Sequence, residues 1–239
     1  NSTTGIKSYD YGDGLINGVL RPYIQQANPL CSNQLDTNES EGNSVNAIGF
    51  AEVRFLKDFK FTSTNSVSSE ETRSTITTIP WFGQYASQNG AITVEHDRTW
   101  SYNYQQLLTW HHQFDQHEVD AMLGHEYYRR RYYVLYGDKT NMYTFPSNDM
   151  ASAVNTGSTN SYRNDYNTEG WFGRVQYNYD QKYFASMSYR REASSRFAPE
   201  NRWGNFWSFG GAWMISKEKF FNVSWIDELK IKASYGEQG

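Results

Sequence analysis

The stretch HEVDAMLGHEYYRRRYYVLY, residues 117–136, reads as one unusually long β-strand. The apolar side chains at its odd positions are Val119, Ala121 and Leu123, and the acidic ones at its even positions are Glu118, Asp120 and Glu126. A period of two is typical of a strand. At ~3.3 Å per residue its roughly 20 positions span about 65 Å, whereas strands of soluble proteins usually stop at about ten residues or fewer. The length favours a membrane-crossing strand.

The order of side chains along this strand supports the same interpretation. After the apolar odd positions come Tyr127 and then Arg129 and Arg131. A strand tilted by about 45° rises roughly 45 Å over this length, which exceeds the apolar band of ~25 Å in an outer-membrane barrel. The order lipid-facing residue, interfacial ring, headgroup-level charge is therefore expected of a strand that leaves the bilayer.

The rest of the chain repeats this pattern in consecutive hairpins. We predict about eight strands, joined by tight turns at residues 57–58, 115–116 and 180–182. The connections between hairpins, at about 72–98, 137–168 and 193–204, are rich in Ser, Thr, Asn and Gly and are predicted to be long loops. Short turns at one end and long loops at the other are typical of an outer-membrane barrel.

The composition is compatible with such a barrel but does not require it. Aromatic residues make up 17% of the 239 residues, and yet the mean hydropathy is −0.80. A soluble glycan-binding or adhesin β-sandwich with core aromatics remains an alternative. The net charge of −4 argues against a nucleic-acid partner, and no run of about 18 apolar residues predicts a transmembrane helix.

Catalytic and metal sites are not indicated by the sequence. The acidic face of residues 117–136 has the carboxylates that a glycosidase needs, but a charged, water-filled lumen explains them as well. His111, His112 and His117 flank a tight turn, and no Cys or clear carboxylate completes a metal site with them. Motifs for nucleophiles, phosphates and dinucleotides are missing from the sequence. We therefore predict no enzyme activity, no metal and no cofactor.

Residues 170–239 carry a more specific pattern. FGRVQYNYDQKY (172–183), SSRFAPENRWGNFWSFGGAWMIS (194–216) and LKIKASYG (229–236) follow one another in fixed order. Together they resemble the SusC/RagA family of TonB-dependent outer-membrane transporters of Bacteroidota. GFAEVRFLKDFKF (49–61) and HEVDAMLGHEY (117–127) also look like barrel hairpins of this family.

The resemblance implies an all-β fold, namely about eight antiparallel strands of a barrel with roughly 22 strands and a plugged lumen. We expect residues 1–45 to form an extracellular loop region and residues 46–239 to be a partial barrel without the plug domain. The family implies import of oligosaccharides or oligopeptides across the outer membrane of a Gram-negative cell. Its partners would be a SusD-like surface lipoprotein as a lid, TonB acting through the plug, outer-membrane lipid and lipopolysaccharide. A dimer of the transporter–lipoprotein pair is compatible with it.

Six side chains are candidates for contacts with a substrate or with the plug: Arg174, Arg190, Arg196, Arg202, Trp81 and Tyr85. Arg174 and Arg190 have the parity of the lumen, so they could pair with plug carboxylates or an anionic substrate, or form a structural network. Trp81 and Tyr85 could stack on sugars, clamp a peptide, pack the loops together or contact a lid. The Trp and Phe side chains of residues 188–213 are expected to face lipid.

Two further hypotheses about the whole protein stay open at this point. A SusC-like barrel could serve as a non-transporting scaffold of an outer-membrane assembly. The soluble β-sandwich hypothesis instead predicts a monomer that folds without detergent.

Overall fold

The computed structural model describes residues 15–16, 19–20, 29–81 and 83–237. Much of the predicted loop region at residues 1–45 lies outside the described residues. In chain order the elements are β1 (Leu15–Ile16), β2 (Val19–Leu20), α1 (Pro29–Leu35), β3 (Thr37–Phe55), β4 (Phe59–Thr78), β5 (Ala91–Phe114), β6 (His117–Met142), β7 (Ala153–Tyr179), β8 (Tyr183–Ser194), β9 (Trp203–Met214) and β10 (Lys230–Glu237). Short 3₁₀ helices cover Ala86–Gln88, Met150–Ser152, Pro199–Asn201 and Ile215–Lys217. Within the described ranges, no helix has the length and apolar character needed to span a bilayer.

Strands β3 to β10 form one eight-stranded sheet in strict chain order. The pairs β7–β8, β8–β9 and β9–β10 are antiparallel with continuous register. Tight turns make this order possible, because an antiparallel neighbour can follow directly after a short reversal of the chain. The all-β antiparallel fold predicted from the sequence is confirmed.

The register sorts the side chains of β7 to β10 into two faces. One row across the four strands contains Val175, Met187, Phe209 and Tyr235, and the next contains Gln176, Ser186, Gly210 and Ser234. We name the face with the odd-numbered side chains of these strands the apolar face, and the other the polar face. Even-numbered side chains of β6 also lie on the polar face, because Asn178 Nδ2 on β7 donates to Glu118 Oε2 on β6 over 2.8 Å.

The three predicted tight turns are confirmed. β3 and β4 are joined by residues 56–58, β5 and β6 by 115–116, and β7 and β8 by 180–182. Five of these residues have positive φ, which lets the chain reverse within so few residues: Leu56, Lys57, Asp115, Asp180 and Gln181.

Two of the long connections are much shorter than predicted. The first two loops comprise residues 79–90 and 143–152, because β4, β5, β6 and β7 continue into stretches rich in Ser, Thr and Asn. The third loop, residues 195–202, is close to its predicted extent. β3 also begins at Thr37, ahead of the predicted boundary at residue 46. Interstrand hydrogen bonds use only the backbone, so a strand with polar residues on both sides can continue where no side chain needs burial.

The described chain divides into two compact units. The first unit comprises Asn1–Ser44, Glu70–Thr99 and Tyr132–Asn164, and the second comprises Val45–Ser69, Trp100–Arg131 and Asp165–Gly239. The first unit has a small core in which Val94, Phe145 and Met150 pack around Ile92, Met142 and Ala153. In the second unit, large side chains of the apolar face such as Met187 and Phe209 are exposed. This exposed face needs an apolar environment that the described chain does not supply.

Candidate functional site

A belt of aromatic and histidine rings crosses the second unit at the end with the tight turns. We name it the turn-side belt. Successive ring centroids lie 4.8 to 6.4 Å apart. Its members are Phe55, Phe59, Trp110, His112, Phe114, His117, Tyr177, Tyr179, Tyr183, Trp213 and Phe220. Such a row of rings is what the interface between hydrocarbon and headgroups favours.

The two histidines of the turn-side belt have polar partners. His112 Nδ1 lies 2.9 Å from Asp58 Oδ2, and His117 Nδ1 lies 2.6 Å from the hydroxyl of Tyr177. Each imidazole thus has a hydrogen-bond partner on one edge, while the His112 ring stacks with Trp110 and the His117 ring stacks with Phe114. The belt therefore combines apolar faces with satisfied polar edges, as an interfacial position requires.

A second group of rings lies further along the strands of the apolar face. His125 contacts Trp171 at 4.2 Å and Tyr104 at 6.3 Å, and Tyr102 contacts Tyr127 at 5.8 Å. Between this group and the turn-side belt the exposed side chains are aliphatic or Met and Phe: Leu123, Val175, Met187 and Phe209. Two aromatic groups flanking an aliphatic band form the outer surface of a membrane barrel.

Charged side chains follow the second group of rings on β6. Arg129 Nη2 and Arg131 Nε each lie 3.7 Å from Asp165 Oδ2. Arg191, on the apolar face of β8, places its guanidinium 5.0 Å from the ring centre of Trp203. The aliphatic band thus ends in rings and then in charges, in the order that the sequence predicts.

The polar face carries a cluster around Arg190. Its Nη2 donates to Glu126 Oε1 over 2.9 Å and its Nε donates to Glu192 Oε2 over 2.8 Å. Phe172 and Phe206 are its direct cross-strand neighbours on β7 and β9. The guanidinium lies 5.5 Å from the centre of the Phe172 ring. We name these five residues the Arg190 cluster; it favours the structural interpretation of Arg190 over the substrate-binding one.

Glycines make room for the rings of the Arg190 cluster. A Cβ atom at Gly124 would lie 2.3 Å from the Phe172 ring, and one at Gly204 would lie 2.7 Å from the Phe206 ring. Each ring therefore lies directly over backbone without a side chain, a packing that compensates for glycine in a strand.

We expect Gly124→Ala to destabilise the full-length protein by about 1 kcal/mol, because the new methyl group displaces the Phe172 ring. Gly49→Ala is the matched control, since a Cβ atom there would have no neighbour within 4 Å. Urea unfolding in phospholipid vesicles, followed by loss of the heat-resistant gel band, measures both variants. Equal stability of the two variants would contradict the assigned packing.

A second group of charges surrounds a concavity of about 630 Å³ on the polar face. Its charged lining residues are Glu118, Asp120, Arg174, Lys230 and Lys232. Arg174 makes no ion pair with any carboxylate of the described residues, in contrast to Arg190. Lys230 Nζ lies 4.0 Å from the ring centre of Phe184, so the ammonium group of this lysine is held against the polar face of the sheet. Of the six predicted residues, Arg174 is the one that lines this concavity.

The prediction that no carboxylate completes a site with the histidines is wrong. His111 lies beside two carboxylates, with its Nδ1 2.8 Å from Asp120 Oδ1, and the ligand atoms of His111, Glu118 and Asp120 lie within 4.8 Å of one another. Carboxylates thus do complete a set that could hold a divalent cation. Arg174 lines the same concavity as both carboxylates, so a positive charge is already near them. We assign no metal to this set.

The remaining predicted residues do not join a common site. Arg196 stacks over Tyr166 at 5.2 Å, and Arg202 accepts a backbone hydrogen bond from Ser194 through its carbonyl oxygen. In the first unit, Trp81 packs edge-on against Phe145 at 5.4 Å, and the carbonyl oxygen of Tyr85 accepts a bond from the Gly90 N–H over 2.9 Å. The contact with Phe145 supports the interpretation that Trp81 packs the loops together.

One predicted orientation is wrong. Phe206 was expected to face lipid with the other aromatic residues of 188–213, but it pairs with Arg190 on the polar face. Phe172 and Phe184 share that face. Their parity with Arg174 and Gln176 was readable from the sequence. Aromatic rings on a barrel strand therefore need not face lipid.

Comparisons with known proteins agree with this geometry. The TonB-dependent receptor SusC of Bacteroides thetaiotaomicron is 29% identical over an alignment of 248 residues, which covers 100% of this chain and 23% of the relative. TonB-dependent receptor P3 of Formosa agariphila is 26% identical over an alignment of 223 residues, which covers 89% of this chain and 22% of the relative. The chain therefore spans about a quarter of the length of these relatives. No family model matches it.

Solved structures show the same fold. The RagAB peptide transporter superposes with a TM-score of 0.81 at 23% identity, covering 93% of this chain and 25% of that chain. The names of these relatives describe receptors and a transporter. The resemblance to the SusC/RagA family of TonB-dependent transporters is thus confirmed, and the chain corresponds to part of the β-barrel that this family places in the outer membrane of Gram-negative bacteria.

Proposed function

We propose that the full-length protein containing this chain imports a nutrient across the outer membrane, with TonB supplying the work. The observation that carries the proposal is the separation of the two faces in the second unit. One face has an aliphatic band between two groups of rings, and the other carries the Arg190 cluster and the concavity around Arg174. A wall with a lipid side and a charged, water-accessible side suits a transport barrel.

We further propose oligopeptides or oligosaccharides as the substrates and a SusD-like lipoprotein as the lid. The RagAB structure is described as a peptide transporter, and SusC is a TonB-dependent receptor. Both substrate classes are polar oligomers with many hydrogen-bonding groups. The polar face offers them guanidinium, ammonium, carboxylate and hydroxyl groups. Residues 1–45 as an extracellular region and residues 46–239 as barrel wall remain part of this proposal.

Import is tested in the natural host with a deletion strain and a complemented strain. Both are given a fluorescently labelled peptide digest and, separately, a labelled glycan digest. We expect uptake of one digest to fall at least tenfold in the deletion strain, and to fall equally when a protonophore removes the energy that TonB transmits. Epitope-tagged protein should co-purify with a surface lipoprotein.

The scaffold hypothesis makes the opposite prediction for the same strains. Uptake of both digests would be unchanged by the deletion, while an outer-membrane assembly would lose its other subunits. That result would overturn the proposal of import without affecting the assignment of the fold.

A further inference from the structure

The connection between β9 and β10, residues 215–229, is fixed to the strand ends. Glu218 Oε1 accepts hydrogen bonds from Trp213 Nε1 over 3.0 Å and from the hydroxyl of Tyr183. Lys217 Nζ donates to Gln181 Oε1 over 2.6 Å, in the neighbouring tight turn. The first residues of the connection thus lie beside two members of the turn-side belt.

The connection also has internal backbone hydrogen bonds. The N–H of Phe221 donates to the carbonyl of Glu218 over 3.0 Å, and the N–H of Ser216 donates to the carbonyl of Leu229 over 3.2 Å. The second of these bonds joins the two ends of the connection. Its side chains are therefore presented on a defined backbone.

Two large rings of this connection are exposed. Phe220 is 69% exposed and Trp225 is 82% exposed. Phe220 nevertheless contacts Trp213 edge-on, with ring centroids 6.2 Å apart. Because Trp213 is on the apolar face, Phe220 extends the turn-side belt beyond the end of the strands.

We propose that residues 215–229 are a membrane-surface anchor, in which Phe220 and Trp225 insert into the phospholipid headgroup region of the leaflet at the turn end. The continuity between Phe220 and the turn-side belt carries this inference, since the belt marks the level of the interface. Tight turns of outer-membrane barrels lie on the periplasmic side, so the lipids are those of the inner leaflet.

The chemistry of the connection fits headgroups better than hydrocarbon or a protein partner. Its exposed rings alternate with exposed polar and charged side chains, namely Lys217, Lys219, Asn222, Ser224, Asp227 and Glu228. Trp and Phe are favoured at the headgroup boundary, whereas so many charges are costly in hydrocarbon. A tight protein interface would instead concentrate apolar residues at its centre.

Glu218 keeps the anchor attached at neutral pH. The hydrogen bond from Tyr183, and then the one from Trp213, lower the pKa of its carboxyl group. The carboxylate is therefore ionised well below neutrality, and the attachment weakens only as the pH falls through this lowered pKa.

The test uses the full-length protein in vesicles of phosphatidylethanolamine and phosphatidylglycerol. Trp225→Cys is labelled with nitrobenzoxadiazole in a background in which Cys31 and any other cysteines are replaced by serine. We expect spin-labelled lipids carrying the nitroxide near the headgroup to quench this probe at least twice as strongly as a probe at Ser224→Cys. Phe220→Cys provides a second position, and the heat-resistant gel band verifies that each variant is folded.

Two outcomes would overturn the anchor. Equal lipid quenching at 225 and 224, together with free access of iodide, would place the rings in water. Protection of 225 from iodide without lipid quenching would show that protein covers the connection. Neither outcome depends on whether the protein imports a nutrient.

Discussion

Val175→Arg is expected to destabilise the full-length protein by about 2–4 kcal/mol and to lower the amount of folded protein in the outer membrane. Val175 is 47% exposed on the apolar face, where its cross-strand neighbour is Met187. It lies in the aliphatic band between the turn-side belt and the second group of rings. An arginine on the lipid face near the midplane of a barrel costs about 2–4 kcal/mol. That cost is a large part of the ordinary stability of a protein domain.

Gln176→Arg is the matched control for this change. Gln176 is the next residue of the same strand, is also exposed, and lines the concavity with Glu118 and Asp120. A new guanidinium there stays in water and has carboxylates nearby, so we expect a change of less than about 0.5 kcal/mol. Both variants are measured by the amount of heat-modifiable protein in isolated outer membranes. Similar losses for the two would refute the assignment of lipid and lumen sides.

This pair of variants also separates the barrel from the soluble β-sandwich. In a sandwich one face of each sheet is packed in a core and the other is in water. Both Val175 and Gln176 are exposed in the second unit, which a packed core would not allow for Val175. In a soluble protein with this exposure the side chain of residue 175 is in water, so an arginine at 175 is tolerated. The barrel predicts that it is not.

The two faces could be predicted because side-chain parity is a local property of a strand. The orientation of β6 follows from its apolar odd positions, Val119 and Leu123, and its acidic even positions, Glu118 and Asp120. The tight turn at 115–116 then fixes the orientation of β5. Register then follows from the length of the turn, without knowledge of the rest of the fold. The family resemblance added the size of the barrel and its membrane.

Strand ends and specific partners could not be predicted in the same way. β4 and β7 continue through polar stretches because their backbone hydrogen bonds persist, and no hydrophobic pattern marks that. The pairing of His111 with Asp120, by contrast, follows from the two-residue turn at 115–116, which places position 111 opposite position 120. The pairing of Arg190 with Glu126 depends on two strands that do not neighbour each other, since β7 lies between them.

Arg190→Met is expected to destabilise the full-length protein by about 1–3 kcal/mol, the range for loss of charge-assisted hydrogen bonds. Its side chain is 35% exposed and satisfies Glu126 and Glu192 together. Methionine keeps much of the contact with Phe172 but leaves two carboxylates facing each other without a cation. Because the cluster is partly exposed, water limits the loss to the lower part of this range.

Arg174→Met separates a structural role from a role in binding. Arg174 lies on the same face and forms no ion pair within the described chain, so we expect urea unfolding in vesicles to change by less than about 0.5 kcal/mol. Uptake of the labelled digest should fall for Arg174→Met at unchanged stability, whereas Arg190→Met should lower uptake only through its loss of folded protein. A double-mutant cycle of Arg190→Met with Glu126→Gln isolates their coupling, for which we expect about 1 kcal/mol. Zero coupling, or an unchanged stability of Arg190→Met, would show that this ion pair does not hold β6 and β8 to the strand between them.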